Sequence, residues 1–214
     1  MVDKLTIEEG RFLVGLARKA VEEFLYFAKR IEPPQDIPPK LREPRGIFVT
    51  IEKIVEKEDG IQHVLRGCIG YPEPVKPLVE ATVEVAIAAA IEDPRFAPLT
   101  EDELDYVIFE VSVLTKPKEV KYEDPEELPR KIEVGRHGLI IESGFYRGLL
   151  LPQVAVENEW SAVEFLQHAC YKAALYRDCW KSRSVKVYVF EAQIFAEVSP
   201  RGEVVERLLF PTKI

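Results

Sequence analysis

Apolar residues recur at three- and four-residue steps from Phe12 onward. Phe12, Leu13, Leu16, Ala20, Phe24, Phe27 and Ala28 share one stripe, which predicts a long amphipathic helix. Thr6 stands where it can cap that helix, and Glu9 can reach back to it. The pattern stops near Arg30. Pro33, Pro34, Pro38, Pro39 and Pro44 then exclude regular structure, so residues 32–45 read as an extended connector wrapped on the surface.

Alternation takes over at Ile47. Ile47–Ile51 and Ile61–Ile69 read as strands joined by Lys57-Glu58-Asp59-Gly60, whose Asp-Gly step is a strong hairpin signal. The Ala- and Val-rich run Leu78–Ile91 predicts a helix buried on most sides, broken at Asp93-Pro94. Thr100–Glu103 has capping-box spacing, and Val107–Thr115 alternates as a strand with Glu110 and Ser112 on one face. After Lys116-Pro117-Lys118 the texture changes. Glu123–Glu127 opens a short helix, Leu139–Glu142 and Tyr146–Leu151 form a second hairpin, and Ser161 caps a helix running to about Leu175. Val185–Val198 is a long strand and Val204–Phe210 a short last one. Hairpins and helices segregate along the chain, which makes the class α+β with antiparallel sheets.

Composition narrows the functions. With 47% hydrophobic and 31% charged residues over 214, the chain has material for a real core and is not disordered. No apolar run reaches about 18 residues and the first ten carry no signal-peptide core, so no membrane span is expected and the location is taken as cytoplasmic. The net charge of −8 counts against a broad nucleic-acid or anionic-membrane surface. Three cysteines, Cys68, Cys170 and Cys179, are too few and too scattered for a disulfide framework or a zinc module. A reduced compartment is the plain expectation, with no metal and no cofactor. One Met and 16 Pro resemble the usage of heat-adapted proteins.

The densest chemistry lies in His63-Val64-Leu65-Arg66-Gly67-Cys68-Ile69-Gly70. On a regular strand Ile61, Leu65 and Ile69 share a core face with His63 and Gly67, while Gln62, Val64, Arg66 and Cys68 share the other. A guanidinium two residues from a thiol lowers its pKa, so Cys68 activated by Arg66 is one reading. A small buried hydrophobe at Cys68 is the other. His63 lies on the opposite face of a regular strand and is a poor general base unless the strand bends. Cys170 falls in the apolar stripe of its helix with Val163, Leu166 and Ala173. The loop Gly135-Arg136-His137-Gly138 offers either an anion site on backbone N–H groups, with Arg136 and His137 beside it, or an ordinary turn.

The run Leu65-Arg66-Gly67-Cys68-Ile69-Gly70 resembles the hallmark of the AMMECR family. Asp93-Pro94-Arg95-Phe96, Leu151-Pro152-Gln153-Val154 and the helix with Cys170, Lys172 and Ala173 before Trp180 fit the same pattern, so the resemblance covers nearly the whole chain. It implies a larger subdomain, about 1–117 and 185–214, built on an antiparallel sheet with flanking helices. It also implies a smaller inserted α+β subdomain, about 118–184, with a cleft between them lined by the Leu65–Gly70 strand. The resemblance leaves the biochemical activity unsettled and associates similar domains in some bacteria with Memo-like and radical S-adenosylmethionine proteins; a peptide, protein or other sizeable ligand in the cleft is the leading expectation. The alternative is a cysteine-dependent enzyme or enzyme component using Cys68 and Arg66. Nucleic-acid binding ranks behind both because of the charge.

Overall fold

The computed structural model describes residues 4–57 and 60–209. In chain order the elements are α1 (Ile7–Phe27), β1 (Gly46–Lys57), β2 (Gly60–Tyr71), α2 (Leu78–Ile91), β3 (Val107–Leu114) and β4 (Lys118–Glu119). There follow α3 (Leu128–Lys131), β5 (His137–Ser143), β6 (Tyr146–Leu150), α4 (Pro152–Glu157), α5 (Ala162–Lys172), β7 (Lys186–Glu197) and β8 (Val204–Arg207). The centre of the expected Lys57–Gly60 turn and the end of the expected Val204–Phe210 strand lie outside the described residues. No helix among the described residues is long and apolar enough to cross a membrane.

The chain divides into two compact units. The first runs up to Leu114 and takes back Gln193–Arg207. Its helix α1 starts on the capping box read from the sequence, with Thr6 accepting from the Glu9 N–H and Glu9 accepting from the Thr6 N–H. It ends at Phe27 rather than Arg30, because Ala28 turns left-handed (φ 52°) and closes its N–H on Phe24 O at 2.8 Å. β1 pairs antiparallel with β2 on one side and β3 on the other. Ile47, Val49 and Ile51 of β1 and Phe109, Val111 and Val113 of β3 are buried in one core with α1 and α2. The many alanines of α2 let its backbone approach the sheet closely. The Pro-rich connector is not wholly superficial, since a 3-10 turn at Pro39–Arg42 buries Leu41 completely.

A buried ion pair sits inside this core. Arg18, on the buried side of α1, donates from Nε and Nη2 to the two carboxylate oxygens of Glu197, each at 2.6 Å. Its Nη2 also donates to Val107 O at 2.7 Å and Nη1 to Leu104 O at 3.3 Å, while Glu197 accepts the Phe109 N–H at 3.0 Å. The guanidinium lies 4.7 Å from the centroid of the Phe109 ring. Pairing and complete hydrogen bonding are what make such a burial tolerable.

The second unit is Thr115–Ala192 with Leu208 and Leu209. Its strand order is β4-β7-β5-β6, all antiparallel. Leu139, Ile141 and Val187 of the sheet pack with Phe165, Leu166 and Ala169 of α5 and with Trp180. Here the reduced-thiol expectation fails. Cys170 and Cys179 form a disulfide, because the last turn of α5 and the 3-10 turn at Cys179–Lys181 bring their Cα atoms to 5.8 Å. The nine-residue spacing carries no signature of this, since it depends on where α5 stops. It stops at Lys172 rather than Leu175 and leaves through Ala174 at positive φ (56°). The short helix α4 went unread in the sequence, although Pro152 at its first turn is a legible start.

Arg18→Met leaves Glu197 buried without its partner. The expected loss is about 3–5 kcal/mol of unfolding free energy by denaturant titration, with most of it recovered in the Arg18→Met/Glu197→Leu double variant.

Candidate functional site

The Leu65–Gly70 strand is not regular, and its irregularity sets the site. Glu52 of β1 opposes Leu65 while Ile51 opposes Gly67, so Arg66 is the extra residue of a β-bulge. The bulge reverses the phase of alternation. Gly67, Ile69 and Tyr71 lie opposite the core residues Ile51, Val49 and Ile47, whereas Leu65 and Cys68 fall on the opposite face, with Glu52 and Thr50. The expected core face of Ile61, Leu65 and Ile69 is therefore split: Ile69 packs on the core, while Ile61 and Leu65 are exposed.

The same bulge separates Arg66 from Cys68. Arg66 donates from Nε and Nη2 to the carboxylate of Glu103 at 2.9 and 2.7 Å, and from Nη1 and Nη2 to the carbonyls of Ala97 and Pro98 at 2.8 and 3.3 Å. Glu103 also meets Lys53 at 3.6 Å. The Arg66 guanidinium holds the Glu103 carboxyl down at about 2. Arg66 is thus a clamp on the loop after α2 and not the cation that tunes the thiol.

The cation near Cys68 is Arg95. Asp93, buried at the end of α2, accepts the Cys68 N–H at 2.9 Å on one oxygen and the Arg95 N–H at 3.1 Å on the other. The Arg95 guanidinium grips both oxygens of Asp93 at 2.9 and 2.6 Å, and its Nη2 also reaches Cys68 O at 3.4 Å. The Arg95 guanidinium above all, with the two backbone donors, holds the Asp93 carboxyl well below its usual range, at about 2. This pair caps the outward edge of β2 at Cys68. Gly67 completes the fit, since a Cβ at that position would lie 2.1 Å from Ala89 O of α2.

Cys68 is half-buried and is the one cysteine outside the disulfide. Its Sγ accepts a hydrogen bond from Thr50 Oγ1 at 3.4 Å. Burial pushes the thiol up from its ordinary value, against the opposing pull of Thr50 and of Arg95. Next to Thr50 in register on β3 is Glu110, which is buried and bonded to Arg207 of β8. Ser112, two residues on and equally buried, shares that face. Cys68, Thr50, Glu110 and Ser112 thus form a polar strip on the sheet face turned away from α1 and α2. Of these only Cys68 was singled out for chemistry from the sequence. In the sequence Asp93-Pro94 marks a helix stop and Asp93-Pro94-Arg95-Phe96 a segment of the family pattern, but neither signal assigns Asp93 or Arg95 to Cys68.

The Arg136-His137 loop closes on itself. Arg136 is held by Glu191 at 3.0 Å and Glu133 at 3.1 Å, and His137 Nδ1 accepts the Glu133 N–H at 3.0 Å. Burial lowers the His137 pKa. Both side chains are spent on the turn itself, so the turn reading replaces the anion site. Among the described residues no group of three or more His, Cys, Asp or Glu is placed to hold a metal ion.

Fold and site together define an α+β protein organised around a bulged Arg-Gly-Cys strand and the Asp-Pro-Arg loop that locks it. The AMMECR1 family model matches residues 14–195, and the chain belongs to that family. It is 62% identical over 208 residues to a protein of Thermofilum pendens, covering 96% of this chain and 98% of that one. It is 53% identical over 210 residues to Protein MK0488 of Methanopyrus kandleri, covering 97% of each. The crystal structure of uncharacterized protein PH0010 from Pyrococcus horikoshii matches with a TM-score of 0.90 at 51% identity, over 96% of this chain and 100% of that chain.

Two outcomes test this geometry. The folded Asp93 pKa lies below the unfolded value, so its contribution is present above about pH 4 and lost as pH falls towards 2. Asp93→Asn is expected to remove on the order of 2 kcal/mol at neutral pH and flatten the acid limb of stability measured by chemical denaturation. Alkylation of Cys68 by iodoacetamide in the folded protein is expected to keep accelerating above pH 9. Arg95→Ala should shift that profile to higher pH, and Arg66→Ala should leave it in place.

Proposed function

We propose that the protein binds a peptide, protein or other sizeable ligand beside the Leu65–Gly70 strand, where half-buried Cys68 meets exposed Arg95, with Cys68 as a neutral thiol contact. The observation that carries this reading is the division of labour within the motif. Arg66 and Gly67 are consumed in fixing the strand to α2 and its following loop, and Gly70 lies where a Cβ would meet Ile47 O at 2.2 Å. The Cys68 side chain has no such use, and among the described residues its sulfur has one weak hydrogen bond, from Thr50.

Arg95 supplies the charge complement. Its Nε and Nη2 are committed to Asp93 and Cys68 O, while its side chain remains 46% exposed. An anionic group of the ligand, such as a carboxylate of an acidic peptide, fits the remaining guanidinium edge. A buried thiol with a raised pKa is a hydrogen-bonding and packing group more than a ready nucleophile. Cysteine-dependent chemistry is the second reading, and the pull of Arg95 towards the thiolate is what favours it.

Selection of a random-sequence peptide library on the immobilised protein tests the proposal. Enrichment of acidic sequences is expected, with binding weakened about tenfold or more in Arg95→Ala, the size of a charge-assisted hydrogen bond, and reduced after alkylation of Cys68. Peptides that bind wild type, Arg95→Ala and alkylated protein alike would remove the site from consideration.

A further inference from the structure

The outer edge of β2 is guarded along one half and open along the other. At Cys68 the outward N–H and C=O are taken by Asp93 and Arg95. Since Cys68 bonds outward, its neighbour Thr50 bonds away from β2, towards β3. Alternation along β1 then directs Lys53, Val55 and Lys57 towards their β2 partners Val64, Gln62 and Gly60. The remaining residues of that half, Ile61, His63 and Leu65, therefore point their N–H and C=O outward. Among the described residues no strand pairs with this edge.

Edge strands are ordinarily protected by charge, proline or a covering loop. Gly60–Leu65 contains no Lys, Arg, Asp, Glu or Pro, and its exposed side chains include Ile61 at 66%, Val64 at 45% and Leu65 at 38%. The segment is also complementary to itself. When two copies run antiparallel about a two-fold axis through His63, Ile61 of each stands opposite Leu65 of the other, and Gln62 opposite Val64. In this register all three outward-bonding residues meet outward-bonding residues, giving about six main-chain hydrogen bonds across the axis.

We propose that Gly60–Leu65 is a self-association edge, at which two copies of this chain join their β2 strands antiparallel about His63. His63 is an outward-bonding position, so proline there removes the intermolecular donor without removing a hydrogen bond to β1. Ile61→Lys, at a side chain that is exposed in the single chain, places a cation opposite Leu65 of the second copy and tests the same contact without altering the backbone.

Sedimentation velocity over a concentration series, together with residue-resolved amide exchange, decides the matter. The wild-type chain is expected to pass from monomer to dimer as concentration rises. Protection should appear with dimerisation at the Ile61, His63 and Leu65 amides, while Val64 and Gln62 are protected throughout. His63→Pro and Ile61→Lys should each remain monomeric. A wild-type chain that stays monomeric at every concentration would overturn the proposal, whether or not an unrelated peptide is found to occupy the edge. A dimer that survives both substitutions, or one that protects other amides, would overturn it equally.

Discussion

The arrangement around Cys68 depends on one buried carboxylate. Asp93 has to accept hydrogen bonds where it sits, and it finds them in the backbone of β2 and in the guanidinium and backbone of Arg95. Each partner fixes a different thing: the strand edge, the loop direction after α2, and the position of a cation. Gly67 sets how closely α2 and β2 approach, and Arg66 secures the same loop further on through Glu103 and two carbonyls. Strand, helix end and loop are held by contacts that share residues, so a change at one is transmitted to the others.

This interlock explains why residues so close in sequence have unlike roles. The bulge turns Arg66 to one face and Cys68 to the other, so the short Arg-Gly-Cys spacing that suggests a tuned thiol is undone by a single extra residue. The sulfur is left beside Thr50 on a face where Glu110 and Ser112 are also buried. Burial and charge act oppositely on that sulfur. Removal from water favours the thiol, and Arg95 favours the thiolate, with the first effect prevailing.

Much of the fold is legible in the pattern of the chain. The capping boxes at Thr6, Thr100 and Ser161, the Ala-rich α2 and the hairpins are local events, and local signals identify them. The motif strand is legible as a location. Its geometry is not, because a bulge is set by pairing with β1, and nothing within Ile61–Gly70 marks Arg66 as the surplus residue. The Cys170–Cys179 bond is hidden for a related reason, since it requires knowing that α5 ends at Lys172. Asp93 and Arg95 act across a distance in sequence, on Cys68, and local pattern shows a helix end at Asp93-Pro94 and a family segment but not that contact. The Arg136-His137 turn is the converse case, where charged residues between glycines suggest a ligand and the neighbours Glu133 and Glu191 absorb them.

Arg18 and Glu197 stand 179 positions apart, and the space above Gly10 is filled by the ring of Phe195. The first unit therefore cannot finish its core until Gln193–Glu197 has been made, because α1 leaves the ribosome long before the strand that neutralises Arg18 and covers Gly10. All of Thr115–Ala192, most of the second unit, is made in between. Until then Arg18 has Glu22, four residues on, as its ion-pair partner at 3.5 Å, and the two-oxygen grip of Glu197 comes last.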